Sequence, residues 1–330
     1  MNNTINQFRQ AMTNAVLTPP DTLHGDGKLH RYSTDGKPSH KNGWYFLHLD
    51  GIPWGQAGSW DVNGGDPVCH WCAKTDTAMT QAERDTQQAQ QRAMKAQREA
   101  DKAAAQQSAA TEAAHRLAAA SPCTQHDYLT RKGIQAHGVK QDTNGGLIVP
   151  MRDTAGTLHS LQTIQPDGSK RFLFGGRVNG CYHSIGKKPV DVLVVGEGYA
   201  TCASIHEATG YPVVVAFNAG NLEPVALALR AKYRDLKIII AADDDHQTDG
   251  NPGMTKAQAA AQAVGAGVAV PTFPAGRPDK ATDFNDLHQL AGLDAVKTCI
   301  DNAIELIASC ASDAGATGQF YQWPAPTEIF

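Results

Sequence analysis

The sequence predicts an α/β fold: a parallel sheet flanked by helices, preceded by a mixed basic subdomain and a small N-terminal β-rich module. Two observations predict the sheet. Short apolar runs without polar alternation recur at Val190 to Val195, Val213 to Ala216 and Lys237 to Ala242, and segments of helical length, Tyr199 to Thr209 and Val225 to Tyr233, lie between them. Strands of this kind are buried on both faces, the condition of a parallel sheet covered by helices. Each run also stops at a polar turn: Gly196-Glu197-Gly198, Asn218-Ala219-Gly220-Asn221 and Asp243-Asp244-Asp245. Ligands of open α/β sheets bind beyond the carboxyl ends of the strands, so the expected site is acidic.

Taken from the start, Met1 to Val16 is weakly amphipathic, and Pro19-Pro20 ends any helix it forms. The rest of residues 1–77 is glycine, aromatics and histidine, with turn signals at Asp26-Gly27, Asp35-Gly36, Asn42-Gly43 and Asp50-Gly51. This predicts a small antiparallel module with tryptophans in its core. Cys69 and Cys72 form a Cys-x-x-Cys near His24, His30, His40, His48 and His70. No second such pair follows, and structural zinc normally takes two ligand pairs, so the module is expected to be zinc-free. Residues 78–120 are rich in Ala, Gln, Glu, Lys and Arg without Gly or Pro. They predict a helical linker about 60 Å long at 1.5 Å per residue. Its large apolar residues are essentially Met79, Met94 and Leu117, too few for the heptad seam of a coiled coil.

Residues 121–189 carry the basic block. Arg131, Lys132, Lys140, Arg152, Lys170, Arg171, Arg177, Lys187 and Lys188 outnumber Asp127, Asp142, Asp153 and Asp167, although the whole chain has a net charge of -4. Leu158 to Ile164 alternates toward the turn at Asp167-Gly168, and Lys170 to Phe174 returns as a strand. Within residues 190–300, Gly250-Asn251-Pro252-Gly253 breaks the chain before a helix from Met254 to Val264; Val268 to Val270 is a further strand, and Asp283 to Leu290 begins the closing helix. Residues 301–330 are expected to hold the end of that helix and an extended or mobile tail.

Alternate residues of an extended segment share a side, so Asp243 and Asp245 can face one ion while Asp244 turns away. Carboxylates gathered closely repel unless a cation neutralises them. Magnesium suits a sparse cluster, because it keeps several waters and takes one or two carboxylates plus phosphate oxygens. A basic block beside such a site suits a phosphate-bearing, nucleic-acid substrate. Thr282 or Asp283 can equally cap the closing helix, with Asp286 in its first turn. The turn at Asn218 to Asn221 offers either a plain turn or close approach to a phosphate or base.

Glu197 in Val-Val-Gly-Glu-Gly, then Ala-Ala-Asp-Asp-Asp, then Asp283-Phe284-Asn285-Asp286-Leu287 together resemble the TOPRIM domain of DNA primases, especially those of conjugative plasmids and of phage and plasmid primase-helicases. The resemblance spans Tyr128 to Leu290. It implies a primase that makes short RNA primers on a single-stranded DNA template from ribonucleoside triphosphates, for plasmid or phage replication or transfer. It further implies Mg²⁺ or Mn²⁺ as cofactor. Glu197, Asp243 and Asp245 would be catalytic and metal-binding, with Asp283 and Asp286 at a second ion. Arg131, Lys132, Lys170, Arg171, Asn218 and Asn221 would meet template or nucleotide. A separate replicative helicase is expected as partner, since the Trp323-Pro324 stretch that leads into a helicase in fused relatives is followed by none. The rival readings are a TOPRIM nuclease and a non-catalytic single-strand binder. No apolar run approaches the roughly 18 to 20 residues of a membrane span, no signal peptide is recognisable, and seven widely spaced cysteines form no disulfide framework. A cytoplasmic location is therefore expected.

Overall fold

The computed structural model describes residues 2–37, 40–63, 66–74 and 79–317; the tail expected beyond the closing helix lies outside them. The chain divides into two compact units, residues 1–100 and 101–330.

In the first unit, helix α1 (Asn2–Asn14) packs on an antiparallel sheet of β1 (His30–Tyr32), β2 (Gly43–His48), β3 (Trp54–Ser59) and β4 (Pro67–Cys72), in that order, with the single turn α2 (Trp60–Asn63) between the last two. Phe8 and Met12, one helical turn apart, are fully buried against Tyr45, Leu47, Ala57 and Cys69. Trp44, Phe46 and Trp54 fill the opposite face with Met94. The middle strand β2 is therefore buried on both sides, which is why it reads as an unbroken aromatic run. Gly27, Gly36 and Gly51 take left-handed backbone at φ +71°, +75° and +69°, as their turns require. Asn42-Gly43 is no turn. Asn42 is buried with its amide on Thr34 and Asp61, and Gly43 opens β2. The tryptophan core also has an exception in Trp60, 41% exposed beneath the Arg31 guanidinium, 4.2 Å from its ring centroid. Cys69 and Cys72 both lie on β4, and an offset of three in a strand sends side chains to opposite faces. Cys69 enters the core under α1 and Cys72 meets the tryptophan cluster, so the two sulfurs do not converge on one metal.

Helix α3 (Gln81–Ala119) runs for 39 residues. Near its end Ala109 and Ala113 are buried, the latter against Ile148 and Leu161; the small side chains that make the stretch read as a solvated spacer are what let the helix lie close there.

The second unit continues with β5 (Ser121–Pro122), α4 (Asp127–Lys132), β6 (Lys140–Gln141), β7 (Leu147–Arg152), β8 (Leu158–Ile164) and β9 (Lys170–Phe172), whose strands form an antiparallel meander in sequence order. Next come β10 (His183–Ile185), β11 (Val192–Gly196), α5 (Tyr199–Thr209), β12 (Val213–Val215), α6 (Leu222–Lys232), β13 (Lys237–Ala241), α7 (Pro252–Val264), β14 (Gly267–Ala269), α8 (Phe284–Ala291) and α9 (Leu293–Thr317). The second sheet has the order β10-β12-β11-β13-β14, parallel except for β10 at its edge. Alternate residues divide between two cores. Val192 and Val194 join Ala203, Ile205, Phe284 and Val296, whereas Leu193 and Val195 join Val225, Leu229, Ala257 and Ala261. The first core continues into the meander through Tyr128, Leu129, Leu147 and Val149. Among the described residues no helix is long and apolar enough to cross a membrane.

His183 of β10 is 5% exposed, and its Nε2 donates to the His137 carbonyl at 2.8 Å. Burial pushes its pKa down to about 4 from 6.5. The folded state then binds fewer protons than the unfolded chain, so this contribution is fully present above pH 6.5 and is lost as the pH falls toward 4. Urea midpoints across this window should show a loss of up to about 3 kcal/mol, and His183→Gln, which keeps a donor, should flatten that slope.

Candidate active site

Strands β11 and β13 are neighbours, while the connections leaving them run to opposite sides of the sheet, so the crevice at their carboxyl ends is a topological switch point. Val195 lies beside Ile240. Glu197 and Asp243 thus follow within a residue of each other past the ends of strands about 4.8 Å apart. On the other flank, the backbone amide of Phe217, just after β12, donates to the Glu197 carbonyl at 2.8 Å. Phe217 holds a left-handed φ of +74°, costly for a bulky residue. The Ala219 amide donates to the Glu197 carboxylate, so the turn after β12 contributes a backbone donor.

The electrostatics are those of negative charge kept from water. Burial pushes the Asp243 carboxyl well above its ordinary range, and Asp283, Glu197 and Asp245 push it further. Burial and then Asp245 raise Glu197, against the pull of the Ala219 amide and Lys170. Asp283 is raised by burial and by Asp286. The Cys202 thiol, enclosed behind the three acids Asp243, Asp283 and Glu197, is also raised well above its usual value, which makes it inert as a nucleophile. Lys170 reaches the cluster from β9, its Nζ 3.8 Å from where a Cβ on Gly198 would lie.

Asp244 takes the other side. Arg277 Nη1 donates to its carboxylate at 2.5 Å and Nη2 to its carbonyl at 2.8 Å, and Asn251 Nδ2 adds a bond at 2.7 Å. Arg277 and Asn251 hold its carboxyl below the usual range against the effect of burial. Asp245 accepts from the Gly253 amide at 3.0 Å, and its own amide donates to Asn251 Oδ1 at 2.8 Å. Gly253 has no room for a side chain: a Cβ would stand 2.5 Å from the Asp243 carbonyl. Asn251 and Gly253 read in sequence only as a break before a helix, and Arg277 left no signal, because it lies on an irregular segment far along the chain.

Several expected ligand contacts are otherwise engaged. Asp283 caps α8, accepting from the amides of Asn285 at 2.7 Å and Asp286 at 2.8 Å, and takes the Thr201 hydroxyl at 3.1 Å. Asp286 completes the capping box, accepts from Thr282 at 2.9 Å and pairs with Lys132 at 3.7 Å. Asp286, expected at a second ion, and Lys132, expected to meet template or nucleotide, are thus paired with each other here. Arg131 donates to the Pro166 carbonyl at 3.0 Å. Asn221, expected to meet template or nucleotide, is 2% exposed and bonds Gly180, Cys181 and Ala216. Asn218 and Arg171 retain exposed surface.

Whether a divalent cation fits is decided at Asp243. Its Oδ1 is buried without a hydrogen-bond partner among like charges, an acceptor that a cation would satisfy. Among the described residues no three His, Cys, Asp or Glu side chains stand close enough to chelate one ion. A cation here would take one or two carboxylates and complete its shell with water or phosphate oxygens, the habit of magnesium.

Residues 192–294 of the chain match the family model of the Toprim domain. Over 263 residues, 76% of the chain, it is 41% identical to a DNA primase TraC of Escherichia coli, and 38% identical over 339 aligned positions, 93% of the chain, to another DNA primase TraC of Escherichia coli. The chain spans only 24% and 23% of the lengths of these curated relatives. Among solved structures it is similar to the primase fragment of the bacteriophage T7 primase-helicase protein, at 21% identity over 53% of this chain and 73% of that one, with a TM-score of 0.40.

The raised carboxyls bind protons more tightly folded than unfolded, so their contribution to stability is full below the ordinary carboxylate values and is lost as the pH rises through the raised ones. Magnesium competes with those protons, and its stabilisation should grow with pH, reaching about 2.7 kcal/mol at a hundredfold excess over its dissociation constant. Thermal unfolding with magnesium and with chelator checks this; Asp243→Asn should raise the midpoint in chelator and abolish the magnesium-dependent shift.

Proposed function

We propose that this chain is a template-directed primase that joins ribonucleotides into short RNA primers on single-stranded DNA, for plasmid or phage replication or transfer, together with a replicative helicase. The observation that carries the reading is Asp243 Oδ1, buried without a hydrogen-bond partner at the switch point beside Glu197. The similarity to DNA primases TraC supports it, and the basic β9 beside the acids suits a nucleic-acid substrate.

Asp243 and Asp245 would hold Mg²⁺ or Mn²⁺ with the triphosphate, and Lys170 would steady the phosphates from β9. When bound, such a cation supplies several kcal/mol of charge stabilisation to the transferring phosphoryl group. Glu197, whose affinity for protons is raised, is placed to accept hydrogen from the attacking 3′ hydroxyl as that oxygen bonds the α-phosphorus and pyrophosphate leaves. Asp283 and Asp286 act through the charge they add and the helix they cap. Asp244 keeps the strand end in place through Arg277 and stays out of the chemistry.

Primer synthesis on defined single strands with labelled ribonucleotides tests this. Glu197→Gln and Asp243→Asn should each lower synthesis by about a thousandfold or more, some 4 kcal/mol of barrier, while Asp244→Asn should cost under about tenfold in rate and show as lower stability. Native rates in the first two variants, or metal-dependent nicking of single-stranded circles without nucleotides, would overturn the reading.

A further inference from the structure

We infer that Phe172 and Phe174 form a track on which bases of the single-stranded template stack as the strand passes the acidic site beside Lys170, with Phe174 as its principal platform. The inference rests on the primase reading for the strand's presence and goes beyond it in naming what grips the bases.

Leu173 continues the pairing of β9 with β8, its amide donating to the Leu161 carbonyl at 2.9 Å, and its side chain packs toward Leu161, Ile148 and Ala113. Lys170 and Phe172 alternate with it on the opposite face, about 7 Å apart, and Phe174 follows past the end of β9, in the turn. That face starts at the acids, where Lys170 lies beside Gly198 and draws on the charge of Glu197 and Asp243. Phe172 follows, 39% exposed, its ring edge-on to Phe217 at 6.1 Å between centroids; Phe217 is the strained residue bonded to the Glu197 carbonyl. Phe174 ends the row, 97% exposed.

The backbone presents Phe174 with care that burial does not explain. The Gly176 amide donates to the Leu173 carbonyl at 3.0 Å, closing a β-turn with Phe174 at its corner and Gly175 next, at a left-handed φ of +75°. At Gly176 a Cβ would sit 2.1 Å from Ser160 Oγ, so the turn is pressed against the meander. A single exposed apolar side chain is ordinary on a protein surface. Two exposed aromatic rings two residues apart in the chain, beside the exposed Lys170 and Arg171, are the composition of a single-strand groove: cations for the backbone and rings for bases of any sequence.

Binding of a labelled oligothymidylate and of an abasic strand of equal length, measured by fluorescence anisotropy in chelator without nucleotides, tests the track on the full chain. The native protein should prefer the base-bearing strand. Phe174→Ala should weaken its binding by about five- to a hundredfold and leave the abasic strand unaffected, while Phe174→Trp should keep the preference. Thermal midpoints should not move, since the ring is in solvent. Absence of preference in the native protein, an Ala variant that binds both strands as the native protein does, equal loss on both strands, or a loss confined to free ribonucleoside triphosphate would each overturn the assignment. Because the assay needs no synthesis, a preference without primers would sink the primase reading alone, and primers without a preference would sink the track alone.

Discussion

Mutual repulsion among carboxylates withheld from water is the constraint to which the rest of this fold answers. Burial and then Asp283, Glu197 and Asp245 raise the proton affinity of Asp243, and burial and then Asp245 raise that of Glu197; no folded chain gathers such charge to gain stability. The sheet brings it together because strand ends at a switch point are the places where backbone directions converge from several helical crossovers. A largely apolar interior on both faces then keeps those ends from relaxing apart.

Around this charge the neighbouring loops are fastened by neutral and cationic groups. Arg277 and Asn251 hold Asp244, the Gly253 amide meets Asp245, and the cap of α8 engages Asp283 from within its own first turn. Each contact satisfies one acid and leaves Asp243 unsatisfied. The result is a site where Asp243 Oδ1 is an open acceptor already positioned, which favours charge stabilisation without rearrangement at the moment of reaction.

The parallel sheet was legible because strands buried on both faces lose polar alternation: α5 occupies the helix read from Tyr199 to Thr209, and β13 the run ending at the three aspartates. Glu197 and Asp243 were legible as acids at strand ends. The division of labour among the expected binding residues was not. Polarity in a turn or a helix end carries no mark of what will saturate it, and the partners of Asn221 and Lys132, Cys181 and Asp286 among them, come from distant segments. Arg277 was invisible for the same reason. In the first unit, period two decided what spacing alone left open, since a Cys-x-x-Cys on a strand divides its sulfurs between two faces.

One apolar core runs from Leu147 and Val149 of the meander to Phe284 and Val296 beneath the parallel sheet, and the Lys132 carbonyl takes the Asn285 amide at 2.8 Å across the same junction. Neither half could be severed near residue 190 without opening that interior to solvent. Any rearrangement that carries this module from one gene to another must therefore carry the antiparallel meander and the acidic sheet as a single heritable piece.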